Sequence, residues 1–304
     1  MLRCHIIVTS NRRPTSMEET ALLEMPSAVP TADTNRPKGA VRDQRRQRRR
    51  MSRLRRVLDS AVVFVIAVGI WWSIVTTFKA TGFYLSNPPQ VASALWHSIT
   101  SASFWANFWS TTEATLVSFV IGSIAGILTG VLITLSRRLE EAVEPFSAAL
   151  ISLPRIALAP VFIAFLGITQ SAKIAVGVSI AFFPLFYNTR SGIKGAERDW
   201  LMMTAALGFN RREIFQKVLL PVAWPSLFAG LRLALTYALL GVVSTEIIAA
   251  RSGLGLLVVE YSSQLRFSYM YAVLVIMAVF AGSIYGIAGL CERRILKWNT
   301  VRVL

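Results

Sequence analysis

The chain has 304 residues, 54% of them hydrophobic and 16% charged, with a mean hydropathy of +0.54 and a formal net charge of +16 at pH 7. That balance excludes an ordinary soluble domain, whose water-facing surface needs far more polar cover. Cys4 and Cys291, like His5 and His97, stand far apart without ligand spacing, so neither a disulfide framework nor a metal site is implied.

Residues 1–56 differ from the rest. They hold fourteen of the 32 Lys and Arg residues, and run from the Pro-rich, aperiodic "PTSMEETALLEMPSAVPTADTNRPKG" into "RDQRRQRRRMSRLRR". A disordered basic cytoplasmic tail is expected here. It lacks the apolar stretch of a signal peptide, and Glu18, Glu19 and Glu24 count against a transit peptide. A polybasic run beside a membrane span holds anionic lipid and fixes topology, so membrane lipid is the expected partner and nucleic acid is not. Met51 opens "MSRLRRVLDSAVVF", a plausible alternative start.

From residue 57 to 304 a six-helix membrane domain is expected. Apolar segments occupy 61–78, 112–135, 146–167, 173–189, 225–250 and 271–290. About twenty helical residues cross a hydrocarbon layer of about 30 Å. The third contains Pro154, Arg155 and Pro160 and reads as a broken or kinked span. Lys and Arg concentrate in the tail and in 190–224, which places both termini and that loop in the cytoplasm. Trp71, Trp72, Trp105, Trp109 and Trp224 fall at or near span ends, as interfacial rings do. The spacing Gly122, Gly126, Gly130 suits close helix packing. Charges inside spans are costly and mark a pathway or a bundle interior, which makes Arg155, Arg232 and Glu246 candidates for the translocation path.

The loop between the fourth and fifth spans carries its own pattern. In "AERDWLMMTAAL" Trp200, Met203 and Leu207 recur at three and four, a helical stripe. Gly208 ends that helix. In "NRREIFQKVLLP" Asn210 is a plausible N-cap with Glu213 three residues on, and Ile214, Val218 and Pro221 continue an apolar face. The prediction is helix, glycine turn, helix, with the second helix closing at Leu220 and Pro221.

Gly208 followed by Leu220-Pro221 between the fourth and fifth of six spans resembles the cytoplasmic EAA loop of ABC importer permeases. The likeness extends through "LSNPPQVASALW" (85–96), "SRRLEEAVEPF" (136–146), "LPRIALAPVFIAFLGITQSAKI" (153–174), "AFFPLFYNTRSGIKG" (181–195), "LPVAWPSLFAGLRLAL" (220–235) and "GVVSTEIIAARSGLGLLV" (241–258). These look like the nitrate/sulfonate/taurine branch, and the resemblance covers about residues 60–298. It implies an all-α integral membrane protein of the type I ABC importer permease kind in a bacterial cytoplasmic (inner) membrane. It also implies that Trp200, Met202, Met203, Thr204, Ala205, Gly208, Arg211, Ile214, Leu220 and Pro221 form a loop coupling the permease to an ATPase. One departure is plain: Met202, Met203 and Thr204 stand where the family has Glu-Ala-Ala.

No GxxxxGK[ST] phosphate loop occurs, so ATP-driven transport must draw its energy from a partner. The spans offer neither a nucleophile with a base nor clustered His, Asp and Glu, so the chain is not expected to be an enzyme. The resemblance assigns ATP and Mg to two copies of a partner ATPase, and adds an extracytoplasmic substrate-binding protein and a second copy of this chain. It implies transport by alternating access of a small oxyanion: an aliphatic sulfonate or taurine, or nitrate or bicarbonate. The alternatives are an uncharged pyrimidine-type precursor, carried by some relatives, and an ion-coupled secondary carrier. The carrier would need acid relays, of which only Glu113 and Glu246 lie in or beside spans.

Overall fold

The computed structural model describes residues 58–59, 62–63, 65–77, 86–152, 154–196 and 198–296. The expected tail, 1–56, lies outside them. From Ala67 onward the chain forms one compact unit. Its helices are α1 (Val65–Thr77), α2 (Pro88–Thr100), α3 (Ala102–Leu135), α4 (Arg137–Ser152), α5 (Arg155–Leu166), α6 (Gln170–Lys194), α7 (Arg198–Ala206), α8 (Arg211–Ile248), α9 (Leu254–Ser263) and α10 (Phe267–Ile295). No strand occurs among the described residues.

Four of these helices, α3, α6, α8 and α10, are long and apolar enough to cross a membrane, whereas α1, α5 and α9 are shorter apolar pieces. The expected third span is therefore not one helix. Helix α4 ends at Ser152, and Pro154 sits outside the helical region at φ −72°, ψ 87°. The chain restarts as a single 3₁₀ turn at Arg155–Leu158 before α5 becomes regular. The second span starts ten residues earlier than its apolar run, and helices α2 and α9 occupy stretches read as outer loops.

The core is α6 with α3 on one side and α8 on the other. Half of the apolar window of α6 is buried in the chain, against 6% of that of α10. Lipid supplies no hydrophobic force between helices, so small residues that let backbones approach carry the packing. A Cβ on Gly122 would lie 3.0 Å from that of Ala181, and one on Gly126 only 2.6 Å from the Phe182 carbonyl oxygen. On the other face a Cβ on Gly241 would lie 3.0 Å from the Gly177 Cα. Ala181, Leu185, Ala234 and Ala238 fill the space between, with Phe119 and Ile127 packed against them.

At the end of α8 nearest α7, the helix does not stop at Leu220-Pro221, as the sequence suggested. It runs on as a π turn, Phe215–Leu219, straight into the span. Pro221 has no N–H to give and its ring crowds the carbonyl four residues back. The wider turn, in which the Leu220 N–H donates to the Phe215 carbonyl, absorbs both effects.

Two turns at opposite ends of the bundle share one geometry. After α7, the Phe209 N–H donates to the Thr204 carbonyl (3.1 Å) with Gly208 at φ +79° between them. After α9, the Arg266 N–H donates to the Tyr261 carbonyl (2.8 Å) and the Leu265 N–H to that of Ser262 (3.1 Å), with Leu265 at φ +61°. Both are helix ends of the kind that favours glycine at the left-handed position. Glycine takes it freely, and leucine at a cost of about 1 kcal/mol.

The glycine packing yields a direct expectation. Gly126→Ala drives a methyl group into the α6 backbone and should cost about 1–3 kcal/mol. Thermal unfolding of the detergent-solubilised protein should fall by several degrees, and an unchanged midpoint would show that α3 and α6 are not held this close.

Candidate functional site

The expected hairpin is present. Trp200, Met203 and Leu207 lie on α7 and its end, and all three are exposed, Met203 at 59% and Leu207 at 65%. Met202, at the departure from the family pattern, is 55% exposed. Thr204 is buried and its hydroxyl donates to the Trp200 carbonyl (3.0 Å). Ala205 falls in the last turn of α7. Asn210 caps α8 as predicted: its side chain accepts from the Glu213 N–H (2.9 Å), and the Glu213 carboxylate accepts from the Asn210 N–H (3.0 Å). Lys217 pairs with Glu213 (3.0 Å) and stands 4.9 Å from the Phe209 ring centre. Arg211 and Pro221 are exposed and Ile214 is half-buried. Leu219 and Leu220 pack on Ile193, Ala223 and Leu227, so the hairpin is bolted to α6 and α8.

Beside it lies a charge cluster that the sequence reading missed. Arg190, buried, donates to Glu140 (2.8 Å) and Glu144 (2.6 Å), while Lys194 pairs with Glu140 (2.5 Å). Hydrogen bonds from Arg190 and then Lys194 hold the Glu140 carboxyl below its ordinary value. The signal is visible afterwards: two carboxylates and two cations, each pair four residues apart, on the same side of the membrane. These cations, counted as topology markers, also fasten α4 to α6.

At the far end a second network joins α3, α6, α8 and the start of α9. The Lys173 ammonium, 3% exposed, meets the fully buried Glu246 carboxylate at 3.2 Å. It also donates to the Ser110 hydroxyl (2.9 Å) and the Ser252 carbonyl (2.8 Å). The Thr111 hydroxyl donates to Glu246 (2.9 Å) and accepts from the Leu254 N–H (2.8 Å). The Gly255 N–H donates to Glu246 (3.0 Å), and the Gly253 N–H to the Asn107 side chain (2.7 Å). Any side chain on Gly253, at φ +127°, would run into the carboxylate. Glu246, expected on the translocation path, is thus buried among helices in the single chain. Lys173 belongs with it, and nothing local links residues 73 apart.

The other two pathway candidates sit apart from it. Arg232 pairs with Glu292 in the last turns of α10 and lies 5.1 Å from the Tyr285 ring centre, beside an apolar cavity of about 390 Å³ lined by Phe119, Phe228, Leu235 and Ile287. Arg155 is half-buried at the break ahead of α5, its guanidinium 3.8 Å from the Phe183 ring centre. The structure therefore does not gather Arg155, Arg232 and Glu246 into one place. Among the described residues no cluster of His, Cys, Asp or Glu could hold a metal ion.

A glycine-packed bundle of long apolar helices with a hairpin at one end is built to sit in a membrane. Residues 118–297 match the family described as "Binding-protein-dependent transport system inner membrane component", and the chain belongs to it. It is 33% identical, over 80% of its length and 90% of the relative's, to the riboflavin transport system permease protein RibX of Chloroflexus aurantiacus. It is 32% identical, over 71% of its length and 82% of the relative's, to the putative aliphatic sulfonates transport permease protein SsuC of Escherichia coli. A chain of the MetNI methionine ABC transporter in an inward facing conformation shares the fold, with a TM-score of 0.55 and 23% identity over 62% of this chain and 93% of that one. The resemblance read from the EAA-like loop is borne out. The protein is a multi-pass inner-membrane permease component of an ABC importer, and not itself an enzyme. Components of this family work with an ATPase and a binding protein, and they dimerise.

Removing one partner of a buried ion pair leaves the other charge without compensation, at about 3–5 kcal/mol, whereas removing both is far milder. Glu246→Gln should therefore lower thermal stability sharply, and adding Lys173→Met should recover most of the loss. A single variant as stable as the parent would mean that the pair holds nothing together.

Proposed function

We propose that this chain is one of two identical membrane subunits of an ATP-driven importer, and that residues 198–221 are the surface on which a cytoplasmic ATPase docks. The observation that carries this reading is the exposed apolar face of Trp200, Met203 and Leu207 on a hairpin whose turn is set by Gly208 and whose base is fixed by Leu219 and Leu220. A surface helix that leaves an apolar stripe exposed is suited to a partner. The departure at Met202, Met203 and Thr204 fits: methionines adapt their shape to a cleft where a glutamate would have fixed one polar contact. Two ATPases bind ATP and Mg, and a substrate-binding protein delivers cargo at the opposite face. Both termini are cytoplasmic in this reading, which the Lys and Arg distribution supports.

For the cargo we favour a small oxyanion, an aliphatic sulfonate first, in keeping with the sulfonate relative. Arg155 is the residue of the path that would meet it. It stands where the helical run that ends at Ser152 restarts, and within a membrane such a break persists only against protein or a water-lined cavity. An uncharged heteroaromatic is the second reading, favoured by the riboflavin relative, whose match covers more of this chain.

The docking proposal predicts that an ATPase co-purifies with the C-terminally tagged protein, and that Gly208→Pro abolishes this without changing the thermal unfolding midpoint by more than a few degrees, since proline cannot take a positive φ. Equal recovery with the variant, or no ATPase under gentle solubilisation, would return the hairpin to a simple connector. For the cargo, alkanesulfonates should compete in binding to the protein's own substrate-binding partner at micromolar concentrations. If flavins compete and sulfonates do not, the second reading replaces the first.

A further inference from the structure

The turn between α9 and α10, at the end of the bundle opposite the hairpin, contains a residue that neither folding nor packing explains. Leu265 is in the left-handed region at φ +61°, the position where helix ends of this kind favour glycine, and its side chain is 56% exposed. It is strained and leaves more than half of its surface exposed. Beside it Arg266 is exposed, with its guanidinium 4.1 Å from the Tyr269 ring centre and 5.4 Å from that of Tyr261. Its backbone N–H is tied to the Tyr261 carbonyl at 2.8 Å. A polar hollow of about 310 Å³, lined by Ser86, Gln90, Ser268 and Tyr269, opens next to the pair, and the Ser268 hydroxyl bonds to that of Ser86 (2.9 Å).

From this we propose that Leu265 and Arg266 are the anchor residues for the substrate-binding protein, Arg266 taking an acidic side chain of that protein and Leu265 entering an apolar dimple next to it. The proposal rests on the assignment of this face as the outer one and of a binding protein as its partner, a dependence that the family's own description names. Charge complementarity selects the occupant. A guanidinium braced by two aromatic faces is oriented before it binds, and its fork suits a carboxylate. An apolar side chain beside a charged one, both held by a fixed backbone, is the composition of a binding hot spot. Strained backbone retained in an exposed turn is of the kind found where a side chain must be presented.

The test uses the whole transporter in lipid nanodiscs, with its ATPase and the binding protein that restores uptake to the parent chain, reading ATP hydrolysis against binding-protein concentration. Arg266→Glu should raise the half-saturating concentration at least tenfold while leaving unstimulated hydrolysis unchanged. It should be rescued by reversing the charge of one acidic residue on the binding protein's surface. Leu265→Gly should act in two opposite directions, raising the thermal midpoint through relief of strain and weakening stimulation at least threefold. A structural role would move both the same way. Half-saturation equal to the parent's in both variants overturns the proposal, and the pair is then a lipid-interface anchor. If no binding protein stimulates the parent transporter, the reading under the previous heading fails, and this one falls with it.

Discussion

Inside a bilayer two helices gain nothing by hiding apolar surface from each other, because lipid tails are as apolar as leucine. What holds α3 and α8 against α6 is close backbone approach, at Gly122, Gly126 and Gly130 on one side and Gly177, Gly230 and Gly241 on the other. Such contact tolerates almost no change of volume, so the three helices act as one rigid group. The hairpin, the far-end network and helix α10 are attached to that group, and α1 packs on α2 and α10 through Trp71.

Helix α6 also carries the charges that fasten the group at its two ends. Lys173 near its start gathers α3, α8 and the loop before α9, while Arg190 near its end gathers α4. Both cations are buried and answered by carboxylates from other helices, the arrangement that a low-dielectric setting demands. Ion pairs add direction to what glycine contact cannot fix: they set how far each helix slides along its neighbour.

How much of this is legible in sequence depends on the range of the signal. The hairpin is legible because Gly208, Asn210 and Glu213 act within a few residues of one another, and the structure realises the turn and the cap where they were placed. Span number is legible only in part, since hydropathy measures apolar length and not helix length. The first ten residues of α3 mix Ser, Asn and Thr with aromatic rings, and the helix of Leu220-Pro221 continues because a π turn shelters the proline. The far-end network is illegible residue by residue, for it joins positions 111, 173 and 246. Its only trace is that two opposite charges stand at span ends on the same side. The Leu265 turn gives no sequence cue at all, because nothing local announces a leucine in a left-handed position.

The π turn at Phe215–Leu219 accommodates one residue more than a regular helix would hold. One residue of an α-helix corresponds to about 100° of rotation. If the surplus residue were instead taken up by regular winding, everything beyond it would turn by that angle and carry Gly230 and Gly241 off α6. The surplus therefore acts as a spacer between two independent phases, that of the hairpin face and that of the span. Removing that one residue would restore regular winding and leave both faces aimed as they are, which makes these five residues the natural seam for a deletion.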